Sequence, residues 1–185
     1  GSDGATGSGQ ILFELGENYN SATETGPINI GVINGLSSSL GLTIRPAAGV
    51  TATTSIAGAA SPNQHAIQIT GSHITLDGRA GGAGSGRDWT IAVTGTTLAQ
   101  MAVRINNTNN AISNVSIRNL IMQAEATGTT GGTFQITGGS THTLSDVIVE
   151  NNLITSGAAL RGYGVTLAVA SNSGNTGIVL RNNEI

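Results

Sequence analysis

Two residue types that many proteins use freely are missing from this chain. There is no cysteine, so no disulfide can form, which is compatible with export to a setting without disulfide machinery. Lysine is also absent: all seven basic residues are arginine, whose planar guanidinium pairs with carboxylates better than an ammonium does. Codon bias or adaptation to heat explains the missing lysine equally well.

Charge, aromatic residues and long apolar runs are scarce as well. The formal net charge is −3 and no basic cluster occurs, so nucleic acid is not an expected partner. No run of about 20 apolar residues is present, so no membrane insertion is predicted. Aromatic residues make up only 3% of the chain, whereas glycine occurs 28 times. This composition favours short strands of Ile, Val and Leu joined by tight turns.

What the chain does contain is a five-residue pattern that returns six times. The copies begin at Ile11, Leu42, Ile74, Val115, Val147 and Ile178. Successive starts are 31, 32, 41, 32 and 31 residues apart, and the long step carries a glycine-rich insertion. A fixed period of this size is typical of a solenoid of stacked coils. Each copy alternates apolar, variable, apolar and charged residues, which predicts a β-strand with one buried face.

Further short apolar segments lie between the copies, so each repeat holds two or three strands separated by polar corners. We therefore predict an all-β fold, a right-handed single-stranded parallel β-helix of about six rungs with a period of about 31–32 residues. Residues 1–10 are expected to form a Gly/Ser-rich N-terminal arm or linker, and residues 11–185 the β-helix. Residues 78–89 are expected to form a glycine-rich loop, called the insertion below.

The fourth position of every copy is charged, and its sign alternates along the chain. The six residues of this charged column are Glu14, Arg45, Asp77, Arg118, Glu150 and Arg181. Stacking of the strands would place the backbones of successive members about 4.8 Å apart, which predicts one continuous ladder of charged side chains on the outer surface. Such a ladder would favour the correct register, because a slipped rung would place like charges side by side.

Asparagine follows the charged residue in the last three copies, at Asn119, Asn151 and Asn182. Inward asparagines at one corner of successive coils can bond the backbone above and below, which predicts an amide ladder. Alternatively, each asparagine takes the left-handed backbone conformation that a turn requires.

The pattern V-x-I-x-N-N-x-I resembles right-handed parallel β-helices of the pectate-lyase-like superfamily. Residues 43–49, 74–79, 81–84 and 87–91 more narrowly resemble segments of very large secreted bacterial surface proteins of the adhesin type. Those proteins are often exported by the type IX route and carry a C-terminal sorting domain. The resemblance implies an extracellular or cell-surface location.

We predict a non-catalytic extracellular structural protein, either a surface or adhesin stalk or a fibre subunit. Its expected partner is a second copy stacked end to end, or further repeats of a longer chain, since Arg181 above the next Glu14 preserves the alternation. Two alternatives stay open: a carbohydrate-active β-helix (a polysaccharide lyase or glycoside hydrolase) and a glycan-binding module for surface glycans. Lyases and hydrolases on this fold use clustered carboxylates, whereas arginines separate the acids of the charged column here.

The insertion is the candidate ligand loop, because loops that leave a rigid scaffold often carry function. Its candidate residues are Arg79, Arg87, Asp88 and Trp89. A sugar could stack on Trp89, or Arg87 and Asp88 could form a structural pair while Trp89 covers the edge of the core. No catalytic residue, cofactor or metal is predicted. If calcium did bind, Asp77 and Asp88 would be its candidate ligands, although the glycine run lacks the acid of the G-G-x-G-x-D repeat.

Overall fold

The computed structural model describes residues 8–17, 19, 26–57, 64–94, 100–124, 132–156, 163–169 and 174–185. The predicted arm therefore lies largely outside the described residues. The strands, in chain order, are β1 (Gly9–Leu15), β2 (Ile28–Ile30), β3 (Leu40–Pro46), β4 (Ala52–Ala57), β5 (Gln64–Ile69), β6 (Ile74–Asp77), β7 (Trp89–Thr94), β8 (Gln100–Asn106), β9 (Ile112–Arg118), β10 (Leu120–Ala124), β11 (Gly132–Gly138), β12 (Leu144–Glu150), β13 (Leu153–Ser156), β14 (Tyr163–Val169) and β15 (Thr176–Arg181).

The chain passes through three parallel sheets in turn. Sheet A has the order β1-β3-β6-β9-β12-β15, sheet B the order β4-β7-β10-β13 and sheet C the order β2-β5-β8-β11-β14. The predicted parallel β-helix is confirmed. The described residues form about four complete three-strand turns, from β3 to β14, rather than about six rungs. The number differs because the first and last copies of the pattern contribute only partial turns to this described part.

The six copies of the sequence pattern are the six strands of sheet A. Val115 pairs with Ile74 on one side and with Val147 on the other. Glu150 is likewise aligned with Arg118 and with Arg181. Residues one repeat apart in sequence are therefore direct neighbours in space, in the register that the pattern predicts.

Inward side chains from the three sheets form one apolar core. Ile74 and Ile117 of sheet A, Ile91 of sheet B and Ile67 of sheet C are all buried. Full burial of such a side chain contributes about 1.5–3 kcal/mol. A slip of one residue in any strand would turn its whole apolar set outward, so the core also fixes the register.

The three asparagines that follow the charged column have left-handed backbones. Asn119, Asn151 and Asn182 have φ angles of 55°, 57° and 53°. Asparagine tolerates this conformation better than most residues, and it lets the chain turn from sheet A towards sheet B. The prediction of an amide ladder at these positions is wrong. The ladder lies one residue later in the chain, because the turn points the side chain of the next residue inward.

At this corner, the side-chain amides of Asn152 and Asn183 make the hydrogen bonds to the backbone of neighbouring coils. Asn152 is fully buried; its Nδ2 donates to the carbonyl of Ile117 at 3.0 Å, and its Oδ1 accepts the amide of Leu120 at 2.9 Å. Oδ1 of Asn183 accepts from both Nδ2 and the backbone N of Asn152 at 3.0 Å. Nδ2 of Asn183 donates to the carbonyl of Val149 at 2.9 Å. These two side chains therefore link three successive coils.

Replacing Asn152 with alanine would leave the amide of Leu120 and the carbonyl of Ile117 without these partners in the interior. We expect Asn152→Ala to lower the free energy of unfolding by about 2–4 kcal/mol, measured by urea denaturation. The matched control is Asn151→Gly, which should change the free energy by less than about 1 kcal/mol because glycine adopts the left-handed backbone freely. Equal effects of the two substitutions would contradict the assignment of the ladder.

Candidate functional site

The insertion leaves the solenoid at the corner between sheet A and sheet B. In the next coil, Asn119 is followed directly by Leu120 at this corner. The equivalent residues of the coil with the insertion are Gly78 and Trp89, and residues 79–88 lie between them. A Cβ atom at Gly78 would overlap the carbonyl oxygen of Asn119 in the next coil. Only glycine therefore fits where the insertion begins.

Asp88 closes the insertion on itself. Its Oδ2 accepts a hydrogen bond from the backbone N–H of Ala80 at 3.0 Å, so the two ends of the loop are joined. At the middle of the loop, Gly82 lies against the guanidinium of Arg45 from the preceding coil, where a Cβ atom would clash. Gly82 also has a φ angle of 74°, a left-handed backbone that glycine adopts without strain, so glycine is favoured at this position.

Arg87 connects the insertion to the last coils of the described solenoid. Its Nε donates to the carbonyl of Asn151 at 2.7 Å, and its Nη2 donates to Oε1 of Glu184 at 2.6 Å. The hydrogen bond and charge of Arg87 hold the pKa of Glu184 below its ordinary value. The proposed Arg87–Asp88 pair does not form, because Arg87 points away along the stack while Asp88 turns into its own loop.

Trp89 lies in the core and not on the surface of the loop. It begins β7, its side chain is only 2% exposed, and its Nε1 donates to Oγ1 of Thr54 at 2.9 Å. This position agrees with a tryptophan that covers the core. The ring is not available for stacking against a sugar in solvent.

Asp77 is buried beneath the insertion and binds two arginines. Its Oδ2 lies 2.7 Å from Nη2 of Arg79 and 3.2 Å from Nη2 of Arg118. Burial raises the pKa of Asp77, but the hydrogen bonds from Arg79 and the positive charges of both arginines outweigh it. The net result is a pKa below the ordinary value, so the carboxylate is ionised in the folded protein near neutral pH.

The charged column is divided into pairs instead of forming one continuous ladder. Its ion pairs are Glu14–Arg45 at 2.9 Å, Asp77–Arg118 at 3.2 Å and Glu150–Arg181 at 2.7 Å. All six residues are described, and no ion pair joins one of these pairs to the next. Each guanidinium turns towards one neighbouring carboxylate, and Asp77 turns to Arg79 in place of Arg45. The prediction that the charged column lies on the outer surface is wrong for Asp77, which is buried because the insertion covers it.

A polar groove of about 370 Å³ lies between the insertion and the coils that follow it. Arg79, Arg87 and Ser85 of the insertion line one side, and Arg118 and Glu150 of sheet A line the other. The structure thus brings two of the predicted loop residues together with two members of the charged column. Asp88 and Trp89 do not line this groove.

Nothing in the repeat pattern indicated that Arg118 and Glu150 belong to the candidate site, because their positions in the charged column already explained them. One available signal was the long step of 41 residues, which places the insertion beside the charged column. Neither Asp77 nor Asp88 fits calcium well, since Asp77 binds two arginines and Asp88 accepts the Ala80 amide. Among the described residues, no group of three or more His, Asp or Glu side chains could hold a metal ion.

The fold defines the chain as a parallel β-solenoid with an arginine-lined groove at one corner. No family model, curated protein or solved structure matches the chain. In the part of the chain that the structure describes, no helix has the length and apolar character needed to cross a membrane.

The buried carboxylate of Asp77 predicts a defined pH dependence. Since its folded pKa lies below the ordinary value of about 3.8, its stabilising effect is present above that pH and is lost as the pH falls through the folded pKa. We expect Asp77→Asn to lower the free energy of unfolding by about 2–4 kcal/mol at neutral pH. Denaturation at a series of pH values should show this difference narrowing below about pH 3.8.

The control for this experiment is Asp146→Asn, which removes a carboxylate from an exposed position. We expect it to change the free energy of unfolding by less than about 1 kcal/mol. A difference between wild type and Asp77→Asn that stays constant down to strongly acidic pH would contradict the ionised state of Asp77.

Proposed function

We propose that this chain is a non-catalytic structural protein of the extracellular space or cell surface, a stalk or fibre subunit that associates end to end. The extracellular location rests on the resemblance to secreted surface proteins and is compatible with the absence of cysteine. The observation that carries the proposed association is the exposure of inward-facing side chains at both ends of the described solenoid.

These exposed residues belong to columns that are buried elsewhere in the stack. Phe13 of β1 is aligned with Ile44 on the core side of sheet A, yet 57% of it is exposed. Leu167 of β14 is aligned with the fully buried Ile136, yet 53% of it is exposed. An apolar pocket of about 320 Å³ adjoins Phe13. Covering such surface would contribute roughly 25 cal/mol per Å².

Strands β1 and β15 are the outer strands of sheet A, so each has one edge that no described strand covers. Free backbone groups at such an edge are able to pair with a strand of another chain. If β1 of a second copy extended the sheet beside β15 in the same register, Glu14 of that copy would face Arg181. A head-to-tail contact of this kind does not close, and it therefore produces a filament.

The distribution of carboxylates supports the non-catalytic part of the proposal. Three carboxylates form ion pairs with arginines at 2.7–2.9 Å, namely those of Glu14, Asp77 and Glu150. Acid–base hydrolysis or elimination uses carboxylates that are free to exchange protons with a substrate. A glycan-binding role centred on Trp89 has no support from its buried position.

The proposal predicts that the purified chain forms linear assemblies whose mean length grows with concentration. Light scattering and negative-stain electron microscopy would detect them. Phe13→Asp should abolish assembly while the circular dichroism of the β-fold remains, because this side chain is already 57% exposed. The control Ala111→Asp, at an exposed position beside β9 in the middle of the stack, should assemble as wild type does. A monodisperse monomer at high concentration would contradict the proposal.

A further inference from the structure

We propose that the groove beneath the insertion is a binding site for an oxyanion, a sulfate or carboxylate group. This inference is independent of end-to-end association, because the groove lies on the side of the solenoid. It rests on the charges around the groove, on the free donors of its arginines and on its size.

The first argument is a local excess of positive charge. Arg79 and Arg118 share the single carboxylate of Asp77, which lies at 2.7 Å from one and 3.2 Å from the other. One negative charge therefore faces two positive charges. The side chain of Asp77 is only 2% exposed, so it lies behind the two guanidinium groups that line the groove.

The other carboxylates near the groove are each matched by one arginine. Glu150 forms an ion pair with Arg181, with Oε2 and Nη2 2.7 Å apart. Glu184 forms an ion pair with Arg87, with Oε1 and Nη2 2.6 Å apart. Asp88 belongs to the insertion, but its carboxylate accepts the amide of Ala80 and does not line the groove. Among the described residues, Glu150 is the one carboxylate that lines the groove, and it also attracts Arg79. Because Glu150 is ion-paired with Arg181, the paired groups at the groove still carry one excess positive charge, with four arginines (Arg79, Arg87, Arg118 and Arg181) against three carboxylates (Asp77, Glu150 and Glu184).

The second argument is that the three arginines retain free hydrogen-bond donors. Arg79 and Arg87 bind their protein partners through Nε and Nη2, and Arg118 uses the same two nitrogens. Their Nη1 atoms make no hydrogen bond among the described residues. A guanidinium carries five N–H donors in a planar fork that matches the geometry of carboxylate and sulfate.

The third argument concerns size and shielding. The side chains of Arg79, Arg87 and Arg118 are 23%, 24% and 33% exposed, so their charges are less screened than those of a fully solvated arginine. The volume of about 370 Å³ falls in the range of about 300–1,000 Å³ that small-molecule sites occupy. The groove therefore has room for an oxyanion that is attached to a larger molecule.

The test is a titration of the full chain with sodium sulfate, with sodium chloride at equal ionic strength as the reference, followed by amide chemical shifts. We expect saturable shifts centred on Ser85 and Arg87. Arg87→Gln should weaken sulfate binding about tenfold, the effect of losing one charge-assisted hydrogen bond. The matched control is Arg104→Gln, which removes an arginine that donates to Thr137 on sheet C, away from the groove. It should leave sulfate binding unchanged.

A second variant, Ser85→Glu, places a negative charge in the groove at an exposed position and should abolish binding without affecting the fold. Acetate and poly-glutamate, compared at equal carboxylate concentration, distinguish a free ion from a group carried on a polymer. Binding of either that is lost in Ser85→Glu supports the site. Shifts that fail to saturate, or an equal loss of sulfate binding in Arg87→Gln and Arg104→Gln, would overturn it.

Discussion

The structure depends on one constraint: each coil must bring the chain back so that its strands lie in register beside those of the previous coil. Parallel strands about 4.8 Å apart then share backbone hydrogen bonds along the whole stack. The apolar columns, the Asn152–Asn183 ladder and the ion pairs of sheet A all follow from this alignment. An insertion is tolerated only at a corner, where it leaves the pairing on both sides intact, as Gly78 and Trp89 show.

The alternation of apolar and charged residues was sufficient to predict the strands of sheet A and their register. It could not predict which neighbour each charged side chain binds, because both neighbours of a central rung carry the opposite sign. The choice depends on side-chain rotamers and on Arg79, which binds Asp77 and lies in the insertion, outside the repeated pattern. The prediction of the amide ladder is wrong by one residue, because the adjacent asparagines Asn151 and Asn152 have different structural roles. The first turns the chain, and the second bonds the interior.

The candidate site was only partly predictable. Arg79 and Arg87 were identified as loop residues, but their partners were not, because a glycine-rich loop has no periodicity that fixes its path. Its course over the following coils is set by the contacts of Arg87 with Asn151 and Glu184, which are far away in sequence. The insertion therefore acts both as a brace across several coils and as one wall of the groove. A lateral groove leaves the ends of the solenoid free for the proposed association.

In-register stacking can be tested directly because the chain has no cysteine of its own. Ser116 and Ile148 are paired on β9 and β12 and face away from the core, with an expected Cα separation of about 4.8 Å that suits a disulfide. Under mild oxidation, Ser116→Cys with Ile148→Cys should cross-link within one chain. The pair Thr75→Cys with Ile148→Cys, two coils apart, should not. Cross-linking of the second pair and not the first would contradict the stacked register.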